Sequence, residues 1–373
     1  MLFEAYDAAL SGPGWQPGGR PPHRALDHEV RHWRSRMPDI EPAVLVRCVT
    51  PATLAGARND AETGALFDLV PEFVGELPTA SRRRLDRWLW GLYEGSDWWN
   101  PLRPDRLGEA LIVRTLRADD DRGQALLAAT LDLHSDAQLE RVLDVLVRLA
   151  VDRATEDVMA VVVAQHHPAL VERCAGQTRG TAQRPGRTGL LDGLTRLHIR
   201  LLTDQRVADL PLTLQSALSS SADTLGDLAR EHGRSTQALV VFQGAFAIDK
   251  RKYELEPGNT TYRRDPSISY ELLADLAREA GKLEIARDLV DGAVHIRRAV
   301  HRLEPHRVDV AVELAYTLYL CATIAAVEGR ENAGQAEREE IMEVLMPFED
   351  ADLLIARGHA GDMGTGRRQR SDW

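Results

Sequence analysis

Apolar residues recur every three or four positions along most of the chain, which is the spacing of an amphipathic helix. Leu85, Trp88, Leu89 and Leu92 form one such stripe, on a helix predicted at 81–93. Alanine, leucine and arginine are frequent and runs of β-branched residues are few, which favours helices throughout. The pattern therefore predicts an all-α fold.

Loops and caps divide the chain into further helices. Segments 11–22 and 176–189 contain glycine and proline without apolar periodicity, so we predict loops there. His166 and His167 are predicted at a helix end, where a histidine interacts favourably with the helix dipole. The predicted N-caps are Ser81, Ser135 and Thr155, and the remaining predicted helices span 1–10, 22–37, 42–57, 61–70, 124–133, 136–151, 155–165, 168–175 and 189–202, with one opening at 104–109 and a last short one that ends at 357.

A segment in the second half of the chain repeats itself at an offset of 48 residues. The sequence DLAREHG at 227–233 returns as DLAREAG at 275–281. A fixed offset of this kind marks an array of one supersecondary unit. Small residues within each unit, and a glycine near its middle, predict two antiparallel helices joined by a bend. The bends of the three successive units are predicted at Gly233, Gly281 and Gly329.

The small residues of each unit have fixed positions. They lie in Leu225-Gly226-x-x-Ala229, Gly233, Ala238 and Ala245, and 48 residues later in Leu273-Ala274-x-x-Ala277, Gly281, Ala286 and Ala293. This spacing resembles the tetratricopeptide repeat. A third unit has Gly334 and Ile341 where alanines are expected, and we interpret it as a capping unit. Because the period exceeds the usual ~34 residues, the second helix of each unit is expected to run long.

The N-terminal third carries a second resemblance. The matching stretches are His28-Glu29-x-Arg31-His32-Trp33, ATLAGA at 52–57, Trp88-Leu89-x-x-Leu92-Tyr93-x-Gly95 and Pro101-Leu102-x-Pro104-Asp105-x-Leu107-Gly108-Glu109. In this order they are similar to the region that follows the nucleotide-binding module of bacterial STAND-class signalling ATPases, where a winged-helix segment precedes tetratricopeptide repeats. We therefore expect a winged-helix-like domain at 1–115, a helical spacer at 116–205, tetratricopeptide-like repeats at 206–350 and an unpacked tail at 351–373.

The motif that binds ATP in that family does not occur in this sequence. No G-x-x-x-x-G-K-[ST] is present, and Gly281-Lys282 is followed by Leu283. Without the backbone cradle and the lysine of that motif, ATP hydrolysis is not expected. The chain resembles the rear half of such a protein. We expect a non-catalytic scaffold or sensor that needs no cofactor, with an ATPase module among its candidate partners.

In a stacked array of helix pairs, the first helices line a concave groove that binds an extended or helical peptide. We expect a protein or peptide partner in that groove. Arginine and tyrosine suit anchoring contacts, whereas the alternative for Arg230 and Arg278 is an ion pair with a neighbouring acid. The groove positions given by the repeat register are Asp223, Asp227, Arg230, Glu271, Asp275, Arg278, Tyr316, Tyr319 and Thr323.

Composition and charge narrow the classes of function. A net charge of −11 disfavours nucleic-acid binding over the whole surface. Cys48, Cys174 and Cys321 are odd in number and far apart, so no disulfide framework or cysteine zinc site is expected, and a reducing cytoplasm fits best.

The first residues are acidic, unlike those of a signal peptide. The apolar stretch 314–327 is shorter than the ~20 residues of a membrane-spanning helix, so we expect a buried repeat helix and no membrane partner.

The motif His28-Glu29-x-x-His32 leaves an enzymatic alternative open. It satisfies the H-E-x-x-H pattern, in which two histidines one helical turn apart ligate zinc and the glutamate polarises a water. A zinc-dependent hydrolase that uses His28 and His32 is therefore one alternative. The other is a packing role for the motif, which we prefer because no third ligand is evident.

A basic run on the helix predicted at 81–93 leaves another alternative open. Arg82, Arg83, Arg84 and Arg87 would be the DNA-facing element of a winged-helix regulator. We prefer a solvated basic face, because DNA binding usually needs a basic surface over the whole domain. No other constellation of side chains in the sequence indicates catalysis.

Overall fold

The structure is a computed structural model that describes residues 21–70, 79–103, 105–117, 122–149, 156–179, 189–202, 205–329 and 331–348. Over these ranges the chain forms fifteen α-helices and no strand. The prediction of an all-α fold is confirmed. The helix predicted at 1–10, the cap predicted at Thr155 and everything predicted after 348 lie outside the described residues.

The helices begin close to the predicted positions in most cases. Ser135 caps its helix as predicted, with its Oγ 3.4 Å from the Gln138 nitrogen, whereas Ser81 lies inside a helix that begins at Thr79. In chain order the helices are α1 (Pro21–Arg36), α2 (Pro42–Ala55), α3 (Asp60–Asp68), α4 (Thr79–Trp90), α5 (Asp105–Arg117), α6 (Arg122–Leu131), α7 (Asp136–Leu149), α8 (Glu156–Arg179), α9 (Gly189–Leu202), α10 (Leu212–Glu231), α11 (Ser235–Leu255), α12 (Thr260–Glu279), α13 (Leu283–Leu303), α14 (Val308–Val327) and α15 (Glu331–Leu345), with 3₁₀ segments at Gln205–Asp209 and Met346–Phe348.

The chain divides into two compact units, Met1–Gly244 and Ala245–Trp373. In the first unit, α1 packs against α2 and α5, and α2 also packs against α7. Gly56 ends α2 with a φ of +58°, and the next residue, Ala57, forms an antiparallel bridge with Trp99 in the segment after α4. Trp99 is almost fully buried, so this bridge fixes the aromatic turn onto the core.

One helix replaces two that the sequence predicts. α8 runs unbroken from Glu156 to Arg179 and contains Pro168 in its interior. A proline removes one backbone donor from a helix, and here α8 continues because it packs along α6, α9 and α10. The predicted break near 166 is therefore wrong. The capping role predicted for His166 and His167 is wrong as well, because both residues lie inside the helix.

The second unit is built from stacked helix pairs. α12 packs against α13, α13 against α14, and α14 against α15. One buried cluster joins α12, α13 and α14 and includes Ala274, Val290 and Ile324. Another joins α13 to α15 and includes Val294 and Val344. Each pair thus buries its apolar face against its neighbour, as expected for a repeat array.

A glycine ends the first helix of each of three pairs in the same way. Gly233, Gly281 and Gly329 have φ angles of +73°, +71° and +74°, in the left-handed region that glycine adopts readily. The N–H after Gly233 donates to the Ala229 carbonyl, and the N–H after Gly281 donates to the Ala277 carbonyl, both at 2.9 Å. This is the hydrogen bond of a Schellman motif. The three predicted bends are confirmed.

Small residues lie where paired helices approach closely. A Cβ on Gly226 of α10 would lie 2.2 Å from Cε1 of Phe242 in α11, so only glycine fits there. In the third pair, a Cβ on Gly334 would lie 3.3 Å from the Ala322 carbonyl oxygen, which is a tight contact but a wider one than that at Gly226. The alanines that are completely buried at predicted positions are Ala229, Ala238, Ala245, Ala274, Ala286 and Ala293.

The second helices run long, as predicted, because α11 and α13 have 21 residues each. The same register extends to α9, which the sequence did not indicate. Leu190 and Leu197 of α9 are buried and lie 48 residues before Ala238 and Ala245 of α11. The match is not evident in the sequence, because α9 has leucine at the two positions where α11 has alanine.

The most apolar helix is longer than the sequence indicated. The predicted apolar stretch 314–327 is part of α14, which has 20 residues and is the one helix in the described ranges that is long and apolar enough to cross a membrane. However, 61% of its apolar window is buried inside the structure. Its Leu314, Leu318 and Ile324 lie in the two buried clusters, which agrees with the predicted buried repeat helix.

Replacing Gly281 with alanine is expected to destabilise the second unit by about 1 kcal/mol. A Cβ at Gly281 meets no other atom within 4 Å, so the cost comes from the left-handed backbone alone. Gly258→Ala is the matched control, because Gly258 has equally open surroundings and a φ outside the left-handed region. Urea denaturation followed by circular dichroism measures both variants. Equal effects of the two substitutions would contradict this account of the bend.

Candidate functional site

Four of the predicted groove residues form two equivalent ion pairs. Asp227 and Arg230 of α10 are joined at 2.9 Å, and Asp275 and Arg278 of α12 are joined at 3.0 Å. The pairing with a neighbouring acid that was the alternative for both arginines is therefore observed. All four side chains are also partly exposed, so a partner can reach them.

The other predicted groove positions include exposed and buried side chains. Tyr319 of α14 is 46% exposed, and Tyr316 and Thr323 on the same helix are half-buried. Asp223 and Glu271 are only 6% and 4% exposed. This corrects the prediction for these two residues, whose carboxylates face the interior. The repeat register placed them on first helices but did not show that the surrounding structure covers them.

Glu271 belongs to a buried ion cluster centred on Arg297. Arg297 lies on α13 and is 1% exposed, with its Nε 3.5 Å from Glu271 Oε1 and its Nη1 donating to Glu313 on α14. Thr317 Oγ1 donates to Glu271 Oε1 at 2.5 Å, and Arg264 lies 3.4 Å from Glu313. Arg297 therefore ties α12, α13 and α14 together, and its carboxylate partners are needed because an unpaired buried ion is costly.

Another buried ion cluster lies near the end of α11. Lys252 is 1% exposed, and its Nζ donates to Asp249 at 3.0 Å and to Asp265 of α12 at 2.9 Å. Ser269 Oγ donates to the second oxygen of Asp249 at 3.3 Å. Burial lowers the pKa of Lys252, but the two carboxylates outweigh it and raise the pKa above its usual value. The buried ammonium therefore stays charged.

The two buried ion clusters share two positions of the repeat. Asp265 and Ser269 of α12 lie 48 residues before Glu313 and Thr317 of α14. Asp265 binds the buried cation Lys252, and Glu313 binds the buried cation Arg297. Ser269 donates to the buried carboxylate of Asp249, and Thr317 donates to that of Glu271. Successive first helices therefore carry an equivalent carboxylate and hydroxyl, which the sequence analysis missed, whereas the two cations, Lys252 and Arg297, lie at different positions of the repeat.

The motif His28-Glu29-x-x-His32 lies on α1. Tyr93 Oη donates to Glu29 Oε2 at 3.3 Å and accepts a hydrogen bond from Nε1 of the fully buried Trp33 at 3.0 Å. His28 is half-buried and His32 is exposed. The described residues hold no group of three or more histidines, cysteines, aspartates or glutamates placed to bind a metal ion. Glu29 and Trp33 fix α1 to the turn after α4, which supports the packing interpretation.

The four arginines of α4 differ in their surroundings. Arg82 lies 3.4 Å from Asp68, and Arg84 lies 2.9 Å from Asp39. The other two, Arg83 and Arg87, are exposed. Acids of the same chain thus neutralise half of the basic run, which favours the solvated face over a DNA-binding surface.

The structure also brings together three residues that the sequence analysis did not connect. His167 of α8 places Nδ1 2.6 Å from Oγ of Ser221 in α10 and Nε2 2.8 Å from Nδ1 of His198 in α9. The two imidazole centroids are 4.6 Å apart. We call His167, His198 and Ser221 the histidine joint, because it connects three helices at one point.

Ser221, His167 and His198 are hydrogen-bonded in the order in which a nucleophile, a base and an orienting residue are arranged in enzymes. However, all three side chains are enclosed by the protein. Both rings are completely buried and Ser221 is 8% exposed, so a substrate does not reach the hydroxyl. Burial lowers the pKa of His167 to about 3, which makes it a weak base. The joint therefore has a structural role. The missed signal is that His167 continues the helical apolar spacing of Val163, Leu170 and Cys174.

Comparisons with known proteins identified no relative of this chain. No protein-family model, no curated protein and no solved structure matches the chain. The resemblances to tetratricopeptide repeats and to STAND-class proteins are thus carried by the residues of this sequence alone.

Replacing Arg297 with methionine is expected to destabilise the second unit by about 3 kcal/mol or more, because Glu271 and Glu313 lose their buried cation. Arg298→Met is the matched control. Arg298 is the next residue on α13 and binds Glu340, but its side chain is 48% exposed, so the loss is expected to stay below about 1 kcal/mol. Urea denaturation measures both free energies of unfolding. Similar small losses would show that the buried cluster contributes little.

Proposed function

We propose that this chain is a protein-binding scaffold, the partner-sensing portion of a STAND-like signalling system, with no chemistry of its own. The observation that carries the proposal is the repetition of one helix hairpin, with three glycine bends of the same conformation 48 residues apart. Stacked hairpins of this kind present extended surfaces to partners. The polar clusters in the interior hold helices together, which leaves the exposed faces for binding.

The finer architecture in this proposal is a tetratricopeptide-like array behind a winged-helix-like segment. The buried alanines at helix crossings and the equivalent glycine bends support the array. For the N-terminal segment, the support is the order of helices α1 to α4 followed by an aromatic turn, in which Trp99 forms its antiparallel bridge with Ala57.

The partner surface that we propose lies on α12 and α14 of the second unit. These two first helices are neighbours, because Thr317 of α14 donates to Glu271 of α12. Their accessible side chains include Arg278 and the exposed Tyr319. Arginine and tyrosine are frequent anchors in protein interfaces. A protein or peptide is therefore the proposed ligand, and an ATPase module is one candidate because STAND-class proteins couple such repeats to one.

A variant with both Arg278→Glu and Tyr319→Ala is expected to weaken partner binding by about tenfold or more, since it removes two anchors from one surface. The wild-type chain and the variant are immobilised and exposed to a lysate of the source cells. Captured proteins are quantified by mass spectrometry, and the affinity of each enriched protein is then measured by calorimetry. Circular dichroism confirms that the variant keeps its helices.

A matched control changes the same kinds of side chain on the second helix α13. Arg302 and Leu303 are both exposed, so Arg302→Glu with Leu303→Ala alters charge and apolar area to a similar extent. This control is expected to retain the partner. Equal binding by both variants would place the partner elsewhere, and no enrichment over an unrelated helical protein would contradict the scaffold function itself.

A further inference from the structure

The hydrogen bonds of the histidine joint form a chain with one open end. Ser221 Oγ lies 2.7 Å from the Ala217 carbonyl oxygen, which gives its proton a backbone acceptor. At the other end, His198 Nε2 has no hydrogen-bond partner among the described residues. The joint plays no part in the proposed partner surface.

Two proton arrangements fit these distances. In one, Ser221 donates to Ala217, His167 Nδ1–H donates to Ser221, and His198 Nδ1–H donates to His167 Nε2. In the other, Ser221 donates to His167 Nδ1, and His167 Nε2–H donates to His198 Nδ1. Both arrangements keep one proton on each ring. Both hydrogen bonds of the joint, Ser221 to His167 and His167 to His198, therefore form when both histidines are neutral, and the first arrangement leaves no N–H without an acceptor.

Additional protons have no favourable place in this arrangement. The first added proton produces one buried cation, and in every arrangement of that cation that keeps the hydrogen bond between the rings, His198 Nε2 carries an N–H without an acceptor among the described residues. A second added proton places N–H groups on both facing nitrogens, which are 2.8 Å apart, and so removes the hydrogen bond between the rings. Each step also moves a positive charge into an interior that disfavours it.

Among the described residues, no carboxylate forms a hydrogen bond with either ring. Burial is the cause of the lowered pKa of His167, and burial followed by the His167 ring is the cause for His198. Asp223 of α10 is a buried acid, 6% exposed, and forms no hydrogen bond with either ring. The other charged groups on the surrounding helices are exposed or paired elsewhere: Glu172 and Arg200 are exposed, His166 binds Asp132, Arg173 binds Asp136, Arg196 binds Asp144 and Asp192, and Asp227 binds Arg230.

We propose that the histidine joint fixes α8, α9 and α10 to one another and makes the stability of the first unit acid-sensitive, with a contribution that is complete at neutral pH and declines in mild acid. Burial lowers the pKa of His167 to about 3 and that of His198 well below its usual value, whereas both titrate near ~6.5 in an unfolded chain. The stabilisation is therefore complete above that pH. It is lost as the pH falls from there towards the folded values, because the unfolded state binds more protons.

Between about pH 7.5 and pH 5.5, each histidine is expected to raise the unfolding equilibrium constant roughly tenfold, and both together roughly a hundredfold. The variant His167→Gln with His198→Asn is expected to lack this hundredfold component. Glutamine suits position 167 because Gln215, 48 residues later, is also almost fully buried. Urea unfolding is followed by tryptophan fluorescence, which reports on the first unit through Trp33 and Trp99.

His166→Gln is the matched control, because His166 is the adjacent residue on α8 but its ring is 20% exposed and binds Asp132 at 3.1 Å. This variant is expected to keep the hundredfold component. A double variant with the pH dependence of the wild type would overturn the proposal. A His166→Gln variant that loses the dependence would overturn it as well.

If the double variant does not fold, a measurement on the wild-type chain tests the proposal. Nuclear magnetic resonance of the imidazole nitrogens reports the protonation of each ring. Neutral His167 and His198 rings in the folded protein at about pH 5.5 support the proposal. Ordinary titration of both rings near ~6.5, with α8, α9 and α10 intact, contradicts it.

Discussion

Each helix hairpin in the second half of the chain depends on a backbone conformation that glycine adopts readily and other residues do not. The positive φ at Gly233, Gly281 and Gly329 turns the chain, and after Gly233 and Gly281 a hydrogen bond across the bend fixes where the second helix starts. Because the bend is the same each time, successive second helices begin in one register. Alanines then meet at the crossings, and equivalent positions become buried in successive pairs.

The regularity of the backbone extends to the buried polar groups. Ser221, Ser269 and Thr317 are 48 residues apart, and each lies within hydrogen-bond distance of a buried polar side chain. That side chain is a histidine in the first case, an aspartate in the second and a glutamate in the third. The fold keeps one hydroxyl position and changes its partner from place to place. Hydrogen bonds between buried polar groups specify which helices face each other.

The sequence predicted features whose signals are local. The helix class, the three bends and the close approaches follow from the spacing of glycine and alanine, which act within one hairpin. Features that depend on distant neighbours were not predicted. Pro168 indicated a break because the packing along α8 was not visible, and that break displaced His167 from its true place inside a helix. Arg297 is a charged residue on an apolar stripe, and only the three-dimensional structure shows that Glu271 is its partner.

The shared register of the two buried ion clusters has a consequence for the length of the array. If residues 253–300 were removed, Glu313 would take the position of Asp265 and Thr317 that of Ser269. Lys252 and Asp249 would then meet a carboxylate and a hydroxyl, as they do now. The loss of one 48-residue unit would thus leave Lys252, the cation that remains of the two, with a counter-ion.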